Sequence, residues 1–403
     1  MTQAIDAVAP ARSSHVRIVG AVSTAHFVSH YYILLLAPLM PFVRAEYGVS
    51  YTEIGLAFAA FNIVSAALQT PAGFLVDWLG ARILLIAGLL IGAAAFAVVG
   101  LTHSFWLLVA MFGLAGVGNT VYHPADYALL SQHVRSERIG QAFSIHTFAG
   151  MLGSAATPPA ALMMQAMWGW RGAMIGAAAL GLIAVVFLIV TRDHEPARPL
   201  IRKADAGAAA TDWQVLLSAP ILLSLGFFVL LAMISAGINN YSVVAFGALY
   251  GTPVETANAA LTGNLLLSAI GVLVGGALVG RTRRHSLVAS LGLAAAAAFT
   301  LLVAEVDLSA VALIAAMSAA GFFFGLLMPS RDMIVREATP PGSFGKVFGF
   351  VTTGFNIGGI VAPLVFGAIM DHGSPRWLFL TVAALTLAAI ATVATRPRAR
   401  TRD

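Results

Sequence analysis

No cysteine occurs among the 403 residues. Disulfides and thiolate metal centres are therefore excluded, although nothing follows about compartment. Charge is scarce as well: Asp, Glu, Lys and Arg make up 10% of the chain, against about 25% in a soluble domain. Away from the ends there is no long polar run except one, Thr191–Trp213, which holds Arg192, Asp193, Glu195, Arg198, Arg202, Lys203, Asp205 and Asp212. No cleavable signal is evident, because the first apolar run is too long for a signal core and is broken by His26 and His30. No strand precedes Gly113-x-x-Gly116-x-Gly118, so these glycines read as helix-packing positions rather than a nucleotide loop. His123-x-x-Asp126 has no third ligand at suitable spacing and no nucleophile–base arrangement, so no metal, no cofactor and no enzymatic centre is expected.

What is present is apolar: 59% of residues are hydrophobic and mean hydropathy is +0.89. Such a chain has a solvent other than water and must satisfy its backbone internally, as helices or a closed barrel. Its apolar runs are about 20 residues or longer and rich in Ala, Leu and Gly, which selects helices and makes the lipid bilayer a partner. Twelve spans are expected, with rough limits 17–43, 51–74, 83–101, 105–131, 138–163, 170–191, 214–243, 255–279, 286–304, 308–335, 343–369 and 376–395. With the N-terminus placed in the cytoplasm, 18 Lys and Arg fall in inside segments and only Arg44, Arg171 and Arg376 fall outside. Both termini and the 192–213 linker are then cytoplasmic, in an inner membrane. The net charge of +5 is explained by these short loops, and nucleic acid is not expected as a partner.

The two halves of the chain, 1–191 and 214–403, repeat one another. Gly73-Phe-Leu75-Val76-Asp77 recurs as Gly276-Ala-Leu278-Val279-Gly280, and Tyr47-Gly48 as Tyr250-Gly251. Gly140, Phe143, Gly153, Pro158 and Arg171 recur as Gly345, Phe348, Gly358, Pro363 and Arg376. Ser50-x-x-Glu53 and Thr252-x-x-Glu255 both read as capping boxes. The expectation is an all-α membrane protein: twelve transmembrane helices in two pseudo-symmetric six-helix bundles joined by a linker, a transporter layout with its site between the bundles.

Gly73-x-Leu75-x-Asp77-x-x-Gly80-x-Arg82 matches the loop signature of the major facilitator superfamily, and nearly the whole chain resembles it. The first half is similar to the fosmidomycin resistance family of exporters, through His26-Phe27, Pro38-Leu39-x-Pro41, Ile54-Gly55, Leu68-Gln69 and Gly116-x-Gly118-x-x-x-Tyr122-His123-Pro124. There are departures: His30 stands where that family carries an acid, Phe112 stands near the arginine of drug–proton antiporters, and Gly280 replaces the second loop aspartate. The resemblance implies a monomer, and a cytoplasmic lock built from Gly73, Asp77, Gly80 and Arg82, in which Asp77 meets the start of span 11 near Ser343–Lys346, or Arg135 or Arg138.

Ionisable groups inside spans are functional candidates, because a charge there costs on the order of 3 kcal/mol. His26 and His30 share a helical face, with Tyr31 beside them; each histidine is either a proton or substrate group or a packed side chain. His123 and Asp126 are one turn apart, and the repeat maps Asp126 onto Arg331. Asp126 and Arg331 either pair across the cavity, or Arg331 is left for an anion, or it pairs locally with Glu337 or another group of the second half. Adjacent Asp332 is not expected to reach it, since neighbouring helical residues diverge. His146, Asn239, Asn240, Asn264 and Asn356 are further candidates. The function read from these features is secondary transport of a small anionic or amphiphilic solute or drug, with protons as coupling partner and efflux as direction. Proton-coupled or facilitated import is the alternative, and a non-transporting receptor or assembly protein the rival of another class.

Overall fold

The computed structural model describes residues 12–135, 138–191, 213–340 and 344–394, and of 12–15, 70, 77, 213, 344–346 and 394 only the backbone. The linker, both chain ends, the Asp77 side chain and the Ser343–Lys346 side chains therefore lie outside the described residues.

Eleven helical stretches are long and apolar enough to cross a bilayer. One, Ile139–Val190, has 52 residues, about 78 Å at the helical rise and more than twice a bilayer core. It is broken at Gly169 (φ 71°, ψ 170°), a conformation that a Cβ disfavours, so it makes two passes and the total is twelve. The helices are α1 (Val16–Tyr47), α2 (Tyr51–Leu79), α3 (Ala81–Leu101), α4 (Phe105–His133), α5 and α6 (139–168 and 170–190), α7 (Ala219–Tyr250), α8 (Val254–Val279), α9 (His285–Glu305), α10 (Ala310–Ala338), α11 (Phe344–Asp371) and α12 (Pro375–Ala394). No strand occurs among the described residues.

The sequence repeat is visible in the backbone. Gly48 and Gly251 end α1 and α7 in the left-handed conformation (φ 65° and 66°), and Gly169 and Gly373 turn the chain into α6 and α12 (φ 71° and 66°). The Tyr47 hydroxyl donates to Thr102 O and the Tyr250 hydroxyl to Ala304 O. α1 is interrupted at Leu35, and the corresponding place in α7 is a π-helical turn, Gly237–Tyr241. Neighbours match too: α1 packs on α5 as α7 packs on α11, α2 on α4 as α8 on α10, and α3 on α6 as α9 on α12. Contacts between the first and last six helices run through α2–α11 and α5–α8, which the repeat interchanges.

The capping box at the start of α2 forms as expected: Glu53 N donates to Ser50 Oγ and Ser50 N to Glu53 Oε2. The second does not. α8 takes Pro253 as its cap, with no side-chain bond, so Thr252 is one residue out of register with Glu255. The expectation of a capping box there is corrected.

Without a hydrophobic drive between helices in lipid, close packing needs small residues. A Cβ on Gly116 would sit 2.5 Å from Phe61 O, and one on Gly118 2.6 Å from Gly88 O, whereas one on Gly113 would meet nothing nearer than 3.9 Å. The glycine run is thus helix packing. Gly116→Ala should overpack α2–α4 at a cost of about 1–3 kcal/mol and lower the melting temperature in detergent by several degrees, with Gly113→Ala at the wild-type value. Equal melting of the two variants would remove the packing argument.

Candidate functional site

The histidines and Asp126 come together from three helices. α1 supplies His26 and His30, α4 supplies His123 and Asp126, and α5 supplies His146. Asp126 is fully buried; its Oδ2 lies 3.4 Å from His26 Nδ1 and 3.7 Å from His146 Nε2. The His26 and His146 rings stack at 3.8 Å, and His26 is 4.7 Å from His30 and 5.3 Å from His123, centroid to centroid. Gly150 makes this possible, since a Cβ there would stand 2.5 Å from His26 Cδ2. His30 is tied by its Nδ1 to Ser154 Oγ at 3.1 Å. Tyr31 is buried alongside, with no hydrogen-bond partner for its hydroxyl.

His123 is exposed at the protein surface despite its place beside His26, so the cluster is uncovered on that side. It follows a break in α4 at residues 120–121 and precedes Pro124, which cannot donate to the helix ladder. Tyr127, one turn on, stacks near His123 and touches Phe143 and His146. The sequence reading finds no third ligand beside His123 and Asp126. The fold supplies one from outside that segment: His26, His123 and His146 each offer a nitrogen within 4.8 Å of the others. The spacing argument missed this because the partners are about 100 and 20 residues away.

The last six helices answer with a different set. Arg331 on α10 is half-buried, its guanidinium 4.7 Å from the Phe228 ring of α7 and 5.2 Å from the Phe355 ring of α11. It binds Asp332 Oδ1 through Nε and Nη2, both at 2.8 Å, which corrects the expectation that adjacent residues cannot meet. The physical reason is reach: the long stem folds back along the helix and presents several donors in one plane. Direct pairing with Asp126 is not formed, and Glu337 lies beside His285 instead. Asp332 is within electrostatic reach of Tyr127 on α4. Asn264 donates to Met317 O and Asn239 to Ser235 Oγ; both line a partly open pocket of about 70 Å³ within the last six helices, with Ser268, Thr300 and Thr386. Asn240 is half-buried in the π-helical turn, and Asn356 is half-buried on α11; neither joins the histidines.

Of the loop signature, Gly80 turns the chain at φ 93°, and Arg82 donates to Leu188 O at 2.6 Å, joining the starts and ends of α3 and α6. Gly73 is half-buried and Arg135 exposed. At the opposite end the sequence reading missed two features. Arg171 and Trp170 both bond Glu46. Asp371, at the end of α11, accepts from Tyr51 N (2.7 Å), Thr52 N (2.8 Å) and Thr52 Oγ1 (2.5 Å), so it caps α2 from the other six-helix set. Within the last six helices, the Tyr241 hydroxyl donates to Pro363 O. Away from this latch, a cavity of about 380 Å³ opens between α5 and α8, lined by Ser144, Thr147, Met151, Val272 and Gly276.

Twelve apolar passes, a duplicated packing scheme, and ionisable groups gathered inside the first six helices fit a multi-pass membrane transporter. The chain belongs to the Major Facilitator Superfamily, whose sequence profile matches residues 22–254 and 225–403. It is similar to the fosmidomycin resistance protein of Escherichia coli (strain K12), 25% identical over 384 residues covering 93% of this chain and 92% of that one. It is also similar to the probable sulfoacetate transporter SauU of Cupriavidus necator, 28% identical over 392 residues covering 88% and 87%. Among solved structures, a bacterial homolog of the human lysosomal transporter Spinster, inward-facing and occupied, superposes with TM-score 0.79 at 12% identity, covering 95% of this chain and 97% of that one. The nucleoside transporter NupG, as a point variant, gives 0.77 at 15%, covering 94% and 99%.

The latch generates a prediction. Spin labels on Ala45→Cys and His372→Cys, in this naturally cysteine-free chain, report the spacing of α1 and α11 at that end. Asp371→Ala should lengthen and broaden their distance distribution. An unchanged distribution would show that Asp371 does not hold the end shut.

Proposed function

We propose that the protein is a proton-coupled exporter of a small organic anion, working by alternating access between residues 1–191 and 214–403 as rocking units joined by the 192–213 linker. The observation that carries this reading is Asp126: a carboxylate sealed inside the first six helices, faced by two imidazoles and close to a third that reaches solvent. A group so placed in a membrane is costly unless it serves ion movement. Proton arrival at His123 and transfer inward to His26, His146 and Asp126 need no large rearrangement at these spacings. One pH unit supplies about 1.4 kcal/mol per proton, and 100 mV about 2.3 kcal/mol per charge, enough for roughly a hundredfold solute gradient or more.

Arg331 carries the substrate class. Its guanidinium is held between two aromatic rings and one carboxylate, with donor capacity left for a bidentate oxyanion. The names of the two relatives point the same way, since fosmidomycin and sulfoacetate are both small oxyanions. We assign both termini to the cytoplasm of an inner membrane, with the Asp371 latch on the outer face and the α5–α8 cavity on the inner one. The second reading, import of such an anion with a proton, is favoured by Phe112, which stands near the place of the arginine of drug–proton antiporters.

The test is flux in proteoliposomes with fosmidomycin and sulfoacetate as probes. An imposed pH step should drive probe uphill against the proton flow. Asp126→Asn should abolish the pH-driven component while leaving probe exchange at equal concentrations within about threefold. Arg331→Ala should raise the KM for both probes tenfold or more. Co-movement of probe and proton would establish import, and a pH response intact in Asp126→Asn would remove the coupling assignment.

A further inference from the structure

Beyond transport, the same three helices assemble a set of donors that a proton relay alone does not require. His26, His123 and His146 present nitrogens within 4.8 Å of one another, and Asp126 Oδ2 stands 3.4 and 3.7 Å from nitrogens of the first and last. Around a tetrahedral ion with bonds near 2.05 Å, ligand atoms lie about 3.3 Å apart. The edges from Asp126 to His26 and His146 are therefore close to metal spacing already. His26 Nδ1, both nitrogens of His146 and both oxygens of Asp126 are buried with no hydrogen-bond partner among the described residues. Buried polar atoms are ordinarily paired, so five lone donors and acceptors at one point call for a ligand.

We propose that His26, His123, His146 and Asp126 form a binding site for a late first-row divalent transition-metal ion, with Zn²⁺ the fitting example. Three neutral imidazoles and one carboxylate suit such an ion, whereas Mg²⁺ and Ca²⁺ take oxygen ligands. The carboxylate cancels half of the ion's charge, which matters inside a bilayer. His26 and His146 already lie against one another, with Gly150 making room for the His26 ring, and ion binding would splay this stack so that both lone pairs converge. A nitrogen pair at the full 4.8 Å must close by about 1.5 Å, and His123, exposed between the α4 break and Pro124, is placed to move. Its exposure is also the entry route. His30 stays outside the set because its Nδ1 is engaged with Ser154.

The experiment is equilibrium binding of Zn²⁺ and Co²⁺ to the full chain, purified in detergent without a polyhistidine tag. One ion per chain should bind, and Co²⁺ should show the intense visible bands of a tetrahedral centre. His123→Ala and His146→Ala should each weaken binding ~10-fold or more, and Asp126→Asn likewise. His285→Ala, a histidine beside Glu337 on the other six-helix set, should bind as wild type. His123 is exposed, so its variant keeps the test alive if His146→Ala fails to fold. A purely octahedral Co²⁺ spectrum, no stoichiometric binding, or binding unchanged in His123→Ala would overturn the proposal. Binding is read without flux, so its failure leaves the proton reading standing, and failure of flux leaves the site standing.

Discussion

The carboxylate of Asp126 is the point on which this structure turns. It is buried within the helices of a membrane protein, and among the described residues His26 and His146 face it at ion-pair distance. Everything around it is shaped by that constraint. Gly150 is small so that His26 can lie against α5, and Pro124 and the α4 break loosen the helix that carries Asp126 and His123. The polar groups of the last six helices face a different problem, that of holding a cation, which Phe228, Phe355 and Asp332 solve around Arg331.

The duplicated scaffold lets one gene segment do two jobs. Positions that set the backbone repeat closely: Gly48 with Gly251, Gly169 with Gly373, and the Tyr47 and Tyr250 anchors. Positions that set chemistry do not, as Asp126 against Arg331 makes plain. The two sets meet mainly through α2–α11 and α5–α8, and at one end the Asp371 carboxylate accepts from free amides at the start of α2. A charged cap at a helix N-terminus is favourable but exposed to solvent here, so it is a closure that can be undone.

Much of this was legible in the chain. Hydropathy and the recurrence of residues at a fixed spacing are one-dimensional signals, and they give twelve passes, the repeat and the membrane without any contact information. The membership of His26, His30, His123, His146 and Asp126 in a candidate set was also legible, because an ionisable residue in a span stands out. Their mutual contact was not. Spacing within one helix says which residues share a face, but only the packing of α1, α4 and α5 decides which faces meet. The Arg331–Asp332 pair was misjudged by treating side chains as rigid spokes, and the Thr252 box by ignoring where proline lets a helix begin. The Asp371 latch carries no motif at all: one carboxylate at a helix end is an ordinary feature until another helix start is brought against it.

The proposed relay requires the Asp126 cluster to open to water through His123, from the inner side in the proposed orientation. The most direct measurement uses the absence of native cysteine: His123→Cys is treated with a membrane-impermeant maleimide in inside-out vesicles and in intact cells. Rapid labelling in the vesicles with little in cells is the predicted result. A cysteine at position 123 that labels from neither face, or only from the outer one, would contradict it.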